Sequence, residues 1–558
     1  MKGVSIVVSS EDSIQIQFPQ KICGEVNAQI TAFVENLKEF TSDIPQIIEI
    51  VPTYCAVTVY FEPDEIKMSL VQKIAEEVIE KTESSDCSSQ KNGKLVEIPV
   101  CYDDGEFAPD LEDVAKHTGL SKQEVIALHS SKDYLIYMLG FLPGFPYLGG
   151  MDEKLEMPRL ETPRTKIPAG SVAIGGKQTG LYPSDSPGGW RIIGRTPLKV
   201  FDETRKPACL YEAGDKIRFI PVSREEFDRI AEIESQARND GSCISDNYIE
   251  EKQKYVCTSG IKILEGGMCT TVQDRGRFGF QHLGIGQGGV MDFESFALGN
   301  AVLGNEENAA CLEATLLAPT VQFVCDCDFV ITGGECNATL DEKPVSMNQK
   351  YSAKAGNVLK CGFITKGLRS YICFKGGILV PESFGSRSTN LKSKSGGYFG
   401  RKLESGDELA IGNFYGAKSE QQHACPERQS FWNNESPLIL SCTKGSQYSS
   451  FSKSVIEKFQ NTVFTVLPES DRMGIRFGGE SLECGKTDII SDAIPFGAVQ
   501  ITSSGLPLVM ASDRQTTGGY AKIAAVTRKS MCALSQTVPG TKVKFIINSH
   551  SGLDPDSI

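Results

Sequence analysis

The chain has 558 residues, of which 40% are hydrophobic and 23% charged, with a formal net charge of −14. Domains run about 100 to 200 residues, so this length implies about three or four folded units and ample buried core. The acidity and the lack of a basic stripe exclude nucleic acid as the main partner, and no apolar run reaches the roughly 18 residues of a membrane span.

The N-terminus, MKGVSIVVSSEDS, turns polar too early for a secretory signal, so a cytoplasmic protein is expected. Residues 1–88 read as a small α/β unit. Strands are expected near Ser5–Val8, Ile14–Gln17 and Cys55–Phe61. One helix carries Val26, Ile30, Phe33, Val34 and Leu37 on one face. A second, over Leu70–Lys81, places Leu70, Ile74 and Val78 at four-residue intervals, with Glu77 set to meet Lys81. The polar stretch ESSDCSSQKNG is the first linker candidate.

Residues 94–222 open with a strand at Leu95–Tyr102. Asp110 is placed to cap a short helix that Gly119 ends, and Ser121 with Glu124 forms a capping box for the next. From Tyr134 to Phe219, short apolar runs broken by Gly and Pro indicate a β-barrel with functional loops. The highly charged segment 223–257 reads as a helical tail and linker, and marks the main boundary. A first β domain is then expected over 258–415, with one helical patch at Asp292–Leu303, and a second over 416–552. The latter ends in KVKFIIN, which resembles the earlier KIRFIPV, so two halves of related β style are implied.

The 18 cysteines are scattered, with no C-x-x-C pair and no zinc-site spacing, and read as reduced thiols. Alternation puts Cys325 and Cys327 on the face of Phe323 and Phe329, as core packing.

Two near-matches to the Walker A pattern fail. In GSVAIGGKQ, Lys177 precedes Gln178 and not Ser or Thr; in GESLECGKT, the glycine spacing is wrong and no helix pattern follows. The loop Tyr182–Arg195 (YPSDSPGGWRIIGR) is more informative. Its glycines allow positive φ and an anion-binding concavity, with Arg191 and Arg195 beside it, or they only build tight turns. Trp190 either stacks on a flat ligand or plugs a barrel end. A second loop, Ala511–Tyr520 (ASDRQTTGGY), reads as a polar binding loop on a barrel rim. Asp513 either ligates Mg²⁺ or pairs with Arg514. His117 and His129 fall on the short helices, as structural groups or general bases.

The stretches GFLPGFPYLGG and PRTKIPAGSVAIGGKQTGLYPSDSPGGWRIIGRTPLKVFD resemble the family of 5-oxoprolinase B subunits, also described as the kinase-inhibitor type or as the first of the two allophanate hydrolase subunits. TVQDRGRFGFQHLGIGQGGVMD, GSRSTN and ASDRQTTGGYAKIAAV resemble the 5-oxoprolinase C subunits, the kinase-inhibitor antagonist type or second of the allophanate hydrolase subunits. The resemblance spans nearly the whole chain in the order B then C. It implies a mainly β fold with α/β: a small N-terminal α/β domain, then cyclophilin-like β-barrels in two fused halves. Where many relatives carry a Pro-rich stretch before ADRQTTGG, this chain has ITSSGLP. Gly505 and Pro507 keep the turn, so that departure bears on substrate more than on fold.

The resemblance implies ATP-dependent activation of 5-oxoproline, with Mg²⁺, and a separate partner like the 5-oxoprolinase A subunit, which completes ring opening to L-glutamate. One alternative is a carboxyltransferase acting on urea or a related amide with carboxybiotin. Another is a module that binds and regulates a histidine kinase. A homo-oligomer is compatible with all three. The implied catalytic set is Asp513, Arg514, Arg191 and His129, with Asp513 as metal ligand. Gln178, Tyr182, Ser186, Gly188, Gly189, Trp190, Arg387, Gln515, Thr516, Thr517, Gly518 and Gly519 would bind substrate or ATP, with Asp274 and Asp292 of second rank.

Overall fold

The computed structural model describes residues 3–84, 93–103, 105–162, 164–239, 260–412, 436–485 and 487–548. The N-terminal layer is a four-stranded antiparallel sheet in the order Ser5–Ser10, Ser13–Gln17, Ala56–Phe61, Ile47–Pro52. Helices α1 (Gly24–Phe40) and α2 (Met68–Ser84) pack on it. α1 buries the expected stripe. In α2, Ile74 and Val78 of the expected stripe are buried together with Val71 and Ala75, while Leu70 is 49% exposed. Lys81 reaches across to Glu39 of α1 at 2.9 Å. The strand Ile47–Pro52, which the sequence pattern did not signal, carries Glu49.

The first barrel has seven strands: Leu95–Val100, Asp133–Leu139, Pro146–Gly149, Ser171–Gly175, Gln178–Leu181, Arg191–Arg195 and Lys216–Pro221. A Cys101–Arg195 bridge joins its two edges. Helices α3 (Leu111–Thr118) and α4 (Lys122–Ser130) lie between its first two strands. The Ser121–Glu124 capping box forms, and Gly119 ends α3 with φ 71°. Asp110 stands at the N-cap of α3 but makes no capping bond. Its carboxylate is held instead by Arg164 (2.7 and 2.9 Å) and the Ile192 N–H (2.7 Å). α5 (Arg224–Asn239) opens the segment read as linker and packs Phe227 on Phe107, ring centroids 4.6 Å apart. The rest of that segment lies outside the described residues.

Residues 260–412 build an eleven-stranded sheet around the long strand Val358–Phe374, with α6 (Phe293–Leu303) against it. Cys325 and Cys327 are half-buried at the turn before strand Cys327–Cys336, while Phe323 and Phe329 fill the core. The alternation persists in weakened form across that turn, with Cys325 and Cys327 partly buried and Cys327 packed against the core cluster of Phe323 and Phe329. The described cysteines are free thiols.

The second barrel closes through Leu438–Lys444, Phe464–Val466, Gly474–Gly478, Ala498–Ile501, Pro507–Met510, Lys522–Val526 and Lys542–Ile547. α7 (Lys453–Asn461) follows its first strand and α8 (Arg528–Ser535) its sixth. The two barrels share one strand permutation. In each, the last strand pairs in parallel with the first and antiparallel with the second, which explains the likeness of KIRFIPV and KVKFIIN. Each also carries an added two-stranded antiparallel sheet: Arg164–Ile167 with Ser186–Gly188, and Asp488–Ala493 with Thr517–Tyr520. The two polar loops therefore occupy equivalent positions, between the fifth and sixth strands.

The halves are packed into each other. Glu49 accepts hydrogen bonds from the backbone N–H groups of Gly279 (3.2 Å), Gln281 (2.5 Å) and His282 (3.3 Å). Leu139 and Leu283 form a bridge between the first barrel and the C-terminal half.

Candidate functional site

The N-terminal layer rests on the second barrel, and its polar edge defines the site. Strand Lys522–Val526 reads KIAAV, with one cation in an otherwise apolar run, and Lys522 is 1% exposed. Its Nζ donates to Asp492 Oδ1 at 2.5 Å. Asp492 Oδ2 accepts from Gln447 Nε2 (2.9 Å) and, across the domain boundary, from Gln15 Nε2 (3.1 Å). Removing an ammonium and a carboxylate from water costs several kcal/mol each, and only close pairing with further hydrogen bonds offsets it. The result is a fixed, desolvated charge pair beside a recess of about 180 Å³ lined by Gln15, Gln17, Ser446, Ser491 and Asp492.

The loop Ala511–Tyr520 shapes this site from behind. Thr517–Tyr520 pairs with Asp488–Ala493, and Gly518 lies opposite Asp492. A Cβ on Gly518 would approach Ile494 Cδ1 to 2.7 Å, so a larger residue there requires that side chain to shift. Thr517 is buried 3.5 Å from the Tyr147 hydroxyl of the first barrel. Thr516 is buried with its hydroxyl unpartnered, and Gln515 is half-buried. Gly519 sits in the same strand as Gly518.

Asp513 neither faces a metal position nor pairs with Arg514. Both its oxygens are taken at 3.0 Å by Arg472, which also binds Glu313 at 2.5 Å and the Gly289 carbonyl at 2.6 Å. Burial raises its pKa and Arg472 opposes that. With its lone pairs directed at a guanidinium, this carboxylate does not fit Mg²⁺. Arg514 is buried too, donating to the Ile494 carbonyl (2.8 Å) and Gln287 (3.0 Å). One of its terminal nitrogens is left unpartnered.

The loop Tyr182–Arg195 is not an anion cradle. Neither Gly188 nor Gly189 has positive φ. A Cβ on Gly188 would lie 2.7 Å from Ile167 Cδ1 and 2.8 Å from the Tyr182 hydroxyl, so that glycine is closely packed. Trp190 and Tyr182 are buried with Phe145 in one aromatic cluster, so Trp190 plugs the barrel and does not await a ligand. Ser186 is buried with its hydroxyl unpartnered, Gln178 is half-buried, and Arg191 reaches Asp113 at 3.2 Å.

The remaining candidates hold the frame. His129 is fully buried, bound by Tyr102 and Thr179 at 2.8 Å each, and burial lowers its pKa to about 3. A group kept neutral and enclosed in this way has no access to substrate and is not a general base. Asp274 accepts from Ser386 Oγ (2.6 Å) and the Arg387 and Gly276 N–H groups (2.6 and 2.9 Å), tying TVQD to GSRSTN. Arg387 pairs with Glu382 at 2.9 Å. Asp292 caps α6 through Ser295 and accepts from Gln536 at 2.7 Å.

Two family models match the chain: "Carboxyltransferase domain, subdomain C and D" over residues 4–211 and "Carboxyltransferase domain, subdomain A and B" over 283–547. The first half is 41% identical over 224 residues to the 5-oxoprolinase B subunit of Bacillus subtilis, covering 92% of that protein. The second is 37% identical over 287 residues to the 5-oxoprolinase C subunit of Haemophilus influenzae, covering 90% of it. The chain belongs to the family of 5-oxoprolinase B and C subunits. It joins a B-like and a C-like half in one polypeptide. A crystal structure of TTHA0988 superposes with a TM-score of 0.79 at 28% identity, covering 96% of this chain and 99% of that one.

The central pair of the site, Lys522 and Asp492, escaped the sequence reading. A lone lysine in KIAAV was a usable signal, because an unpaired cation does not persist in a buried strand. Gln15 and Gln447 gave none, since only the docking of the B-like layer on the C-like barrel brings them to Asp492.

Proposed function

We propose that the chain performs the ATP-dependent activation of 5-oxoproline for ring opening to L-glutamate, together with a separate A-type partner. The observation that carries this is the end-to-end match of its two halves to proteins named as the B and C subunits of 5-oxoprolinase. No helix among the described residues is long and apolar enough to cross a membrane.

A five-membered lactam resists hydrolysis because amide resonance makes its carbonyl carbon a poor electrophile. Transfer of the γ-phosphoryl group of ATP to the amide oxygen, with release of ADP, lets water add at that carbon, phosphate leave and the ring C–N bond open. Such transfer is catalysed mainly by positioning and charge neutralisation. Beside the recess, Lys522 is buried as the counter-ion of the lining residue Asp492, so the recess faces one end of a desolvated ion pair. Gln15 and Gln447 hold Asp492 in place, so the two halves complete one arrangement. Serine hydroxyls of the recess, among them Ser491, offer donors for the lactam's carboxylate. Since Asp513 is closed to metal, Mg²⁺ arrives with the nucleotide.

The test is glutamate release by the purified chain with 5-oxoproline, ATP and Mg²⁺, with and without the A-type partner. Glutamate formed only when both proteins and ATP are present supports the assignment. No turnover with a folded A-type partner overturns it.

A second reading, carboxyl transfer from carboxybiotin to urea or a related amide, is favoured by the C-like half. That half is 30% identical over 309 residues to urea amidolyase of Lachancea kluyveri, of which it spans 17%. Co-purification with a biotinylated protein would separate the two.

A further inference from the structure

A second cavity of about 610 Å³ opens beside the N-terminal layer, between it, α6 and the second barrel. We propose that this cleft is the nucleotide site, an assignment that rests on the ATP-dependent reading above. Sites for small molecules usually span about 300 to 1,000 Å³, so the cleft has the size for a nucleotide and the Lys522 recess does not.

Its walls suit a flat, anionic ligand. Phe293, Phe296, Ala297, Asn300, Ala301 and Gly304 recur at helical spacing, so one face of α6 lines it from end to end. The aromatic rings stand at the N-terminal end, and the small residues leave a trough beyond them. Phe293 meets Phe496 of the second barrel edge-on at 5.5 Å, and Phe278, itself 37% exposed, adds a third side. A purine ring packs well against such faces.

At the far rim, Arg275 and Arg528 converge on Glu62. Arg275 stands 3.5 Å from both Glu62 and Glu307, while Arg528 lies 2.8 Å from Glu62 and 3.5 Å from Asp12. Three of these four contacts are longer than the roughly 2.7 to 2.9 Å of a charge-assisted hydrogen bond, so phosphate oxygens can engage both guanidinium groups without the fold rearranging. Asp12, Glu62 and Glu307 would repel a bare triphosphate, which selects the magnesium-bound form.

The signature loop reaches this cleft as well. Arg514 donates to the lining residue Gln287 and stacks on Phe496 at 5.7 Å. The strand Ser13–Gln17 runs from the cleft at Asp12 to the recess at Gln15. At about 3.3 Å per residue, the two sites lie roughly 10 Å apart along it, within reach of a triphosphate tail.

The test is anisotropy of N-methylanthraniloyl-ATP titrated with the full chain in Mg²⁺, with unlabelled ATP as competitor. Ala297 is exposed in the trough, so Ala297→Trp fills the cleft while leaving the helix core intact; a thermal melt confirms folding. Wild-type binding weakened about tenfold or more by Ala297→Trp, and also by Arg275→Ala, is the expected result. Wild-type binding that Ala297→Trp leaves unchanged overturns the cleft assignment while sparing the ATP reading. No nucleotide binding by the wild type overturns both.

Discussion

Lys522 and Asp492 form an ion pair with a 2.5 Å Nζ–Oδ1 separation inside the second barrel, and Gln15 of the B-like half completes its hydrogen bonding. The pair belongs to one half and its orientation to the other. Lys522→Met removes the charge at similar volume and leaves Asp492 buried without a counter-ion, which costs about 3–5 kcal/mol. The double variant Lys522→Met/Asp492→Asn is expected to recover most of that stability and none of the glutamate formation. Thermal melts with the coupled assay check this; restored turnover in the double variant would remove Lys522 from the mechanism.

Asp513 anchors Arg472, which in turn holds Glu313 of the large sheet. Asp513→Asn is therefore expected to cost about 3–5 kcal/mol and to lower the melting temperature. The Mg²⁺ concentration giving half-maximal activity should stay the same in whatever folded protein remains. A marked rise in that concentration would return Asp513 to the metal.

His129 sets a pH dependence. Its pKa falls from 6.5 to about 3 on folding because burial disfavours the charged ring. Between those values the unfolded chain binds the extra proton, so stability is full above pH 6.5 and declines as pH falls toward 3. The slope contributed is about 1.4 kcal/mol per pH unit at most. His129→Gln should flatten this part of the acid limb in denaturant melts at pH 4 to 7, and an unchanged slope would contradict the assignment.

Gly140 of the first barrel packs against Thr517 of the second. A Cβ on Gly140 would lie 2.4 Å from Thr517 Oγ1 and 2.8 Å from its Cγ2. Gly140→Ala is expected to destabilise the barrel junction by about 1–3 kcal/mol through overpacking. Thr517→Gly in the same chain should relieve it, and simple additivity of the two in thermal melts would show that the contact is not shared.

The elements with strong periodicity were legible: α1, the capping box of α4, the extent of α6 and the closing strands all follow from residue order. In α2, Ile74 and Val78 are buried as expected and only Leu70 is not, because Leu70 and Val71 both continue a helical stripe and packing on the sheet chooses between them. In the signature loops, Gly188 and Gly518 do not have positive φ; a Cβ on either would crowd an isoleucine Cδ1 at 2.7 Å. Polar residues in a Gly-rich loop look alike whether they face solvent or a buried arginine, so Asp513 could not be distinguished from a metal ligand. Its partner Arg472 lies 41 residues away in the chain.

The capture of the Gly279–His282 backbone by Glu49 has a wider consequence. It joins the halves through non-covalent contacts that need no peptide link across residues 240–259. The covalent joint then acts by effective concentration, making encounter of the halves intramolecular without adding a contact. On this view two genes and one gene encode the same machine, and fusion or separation is a choice about stoichiometry and assembly rate.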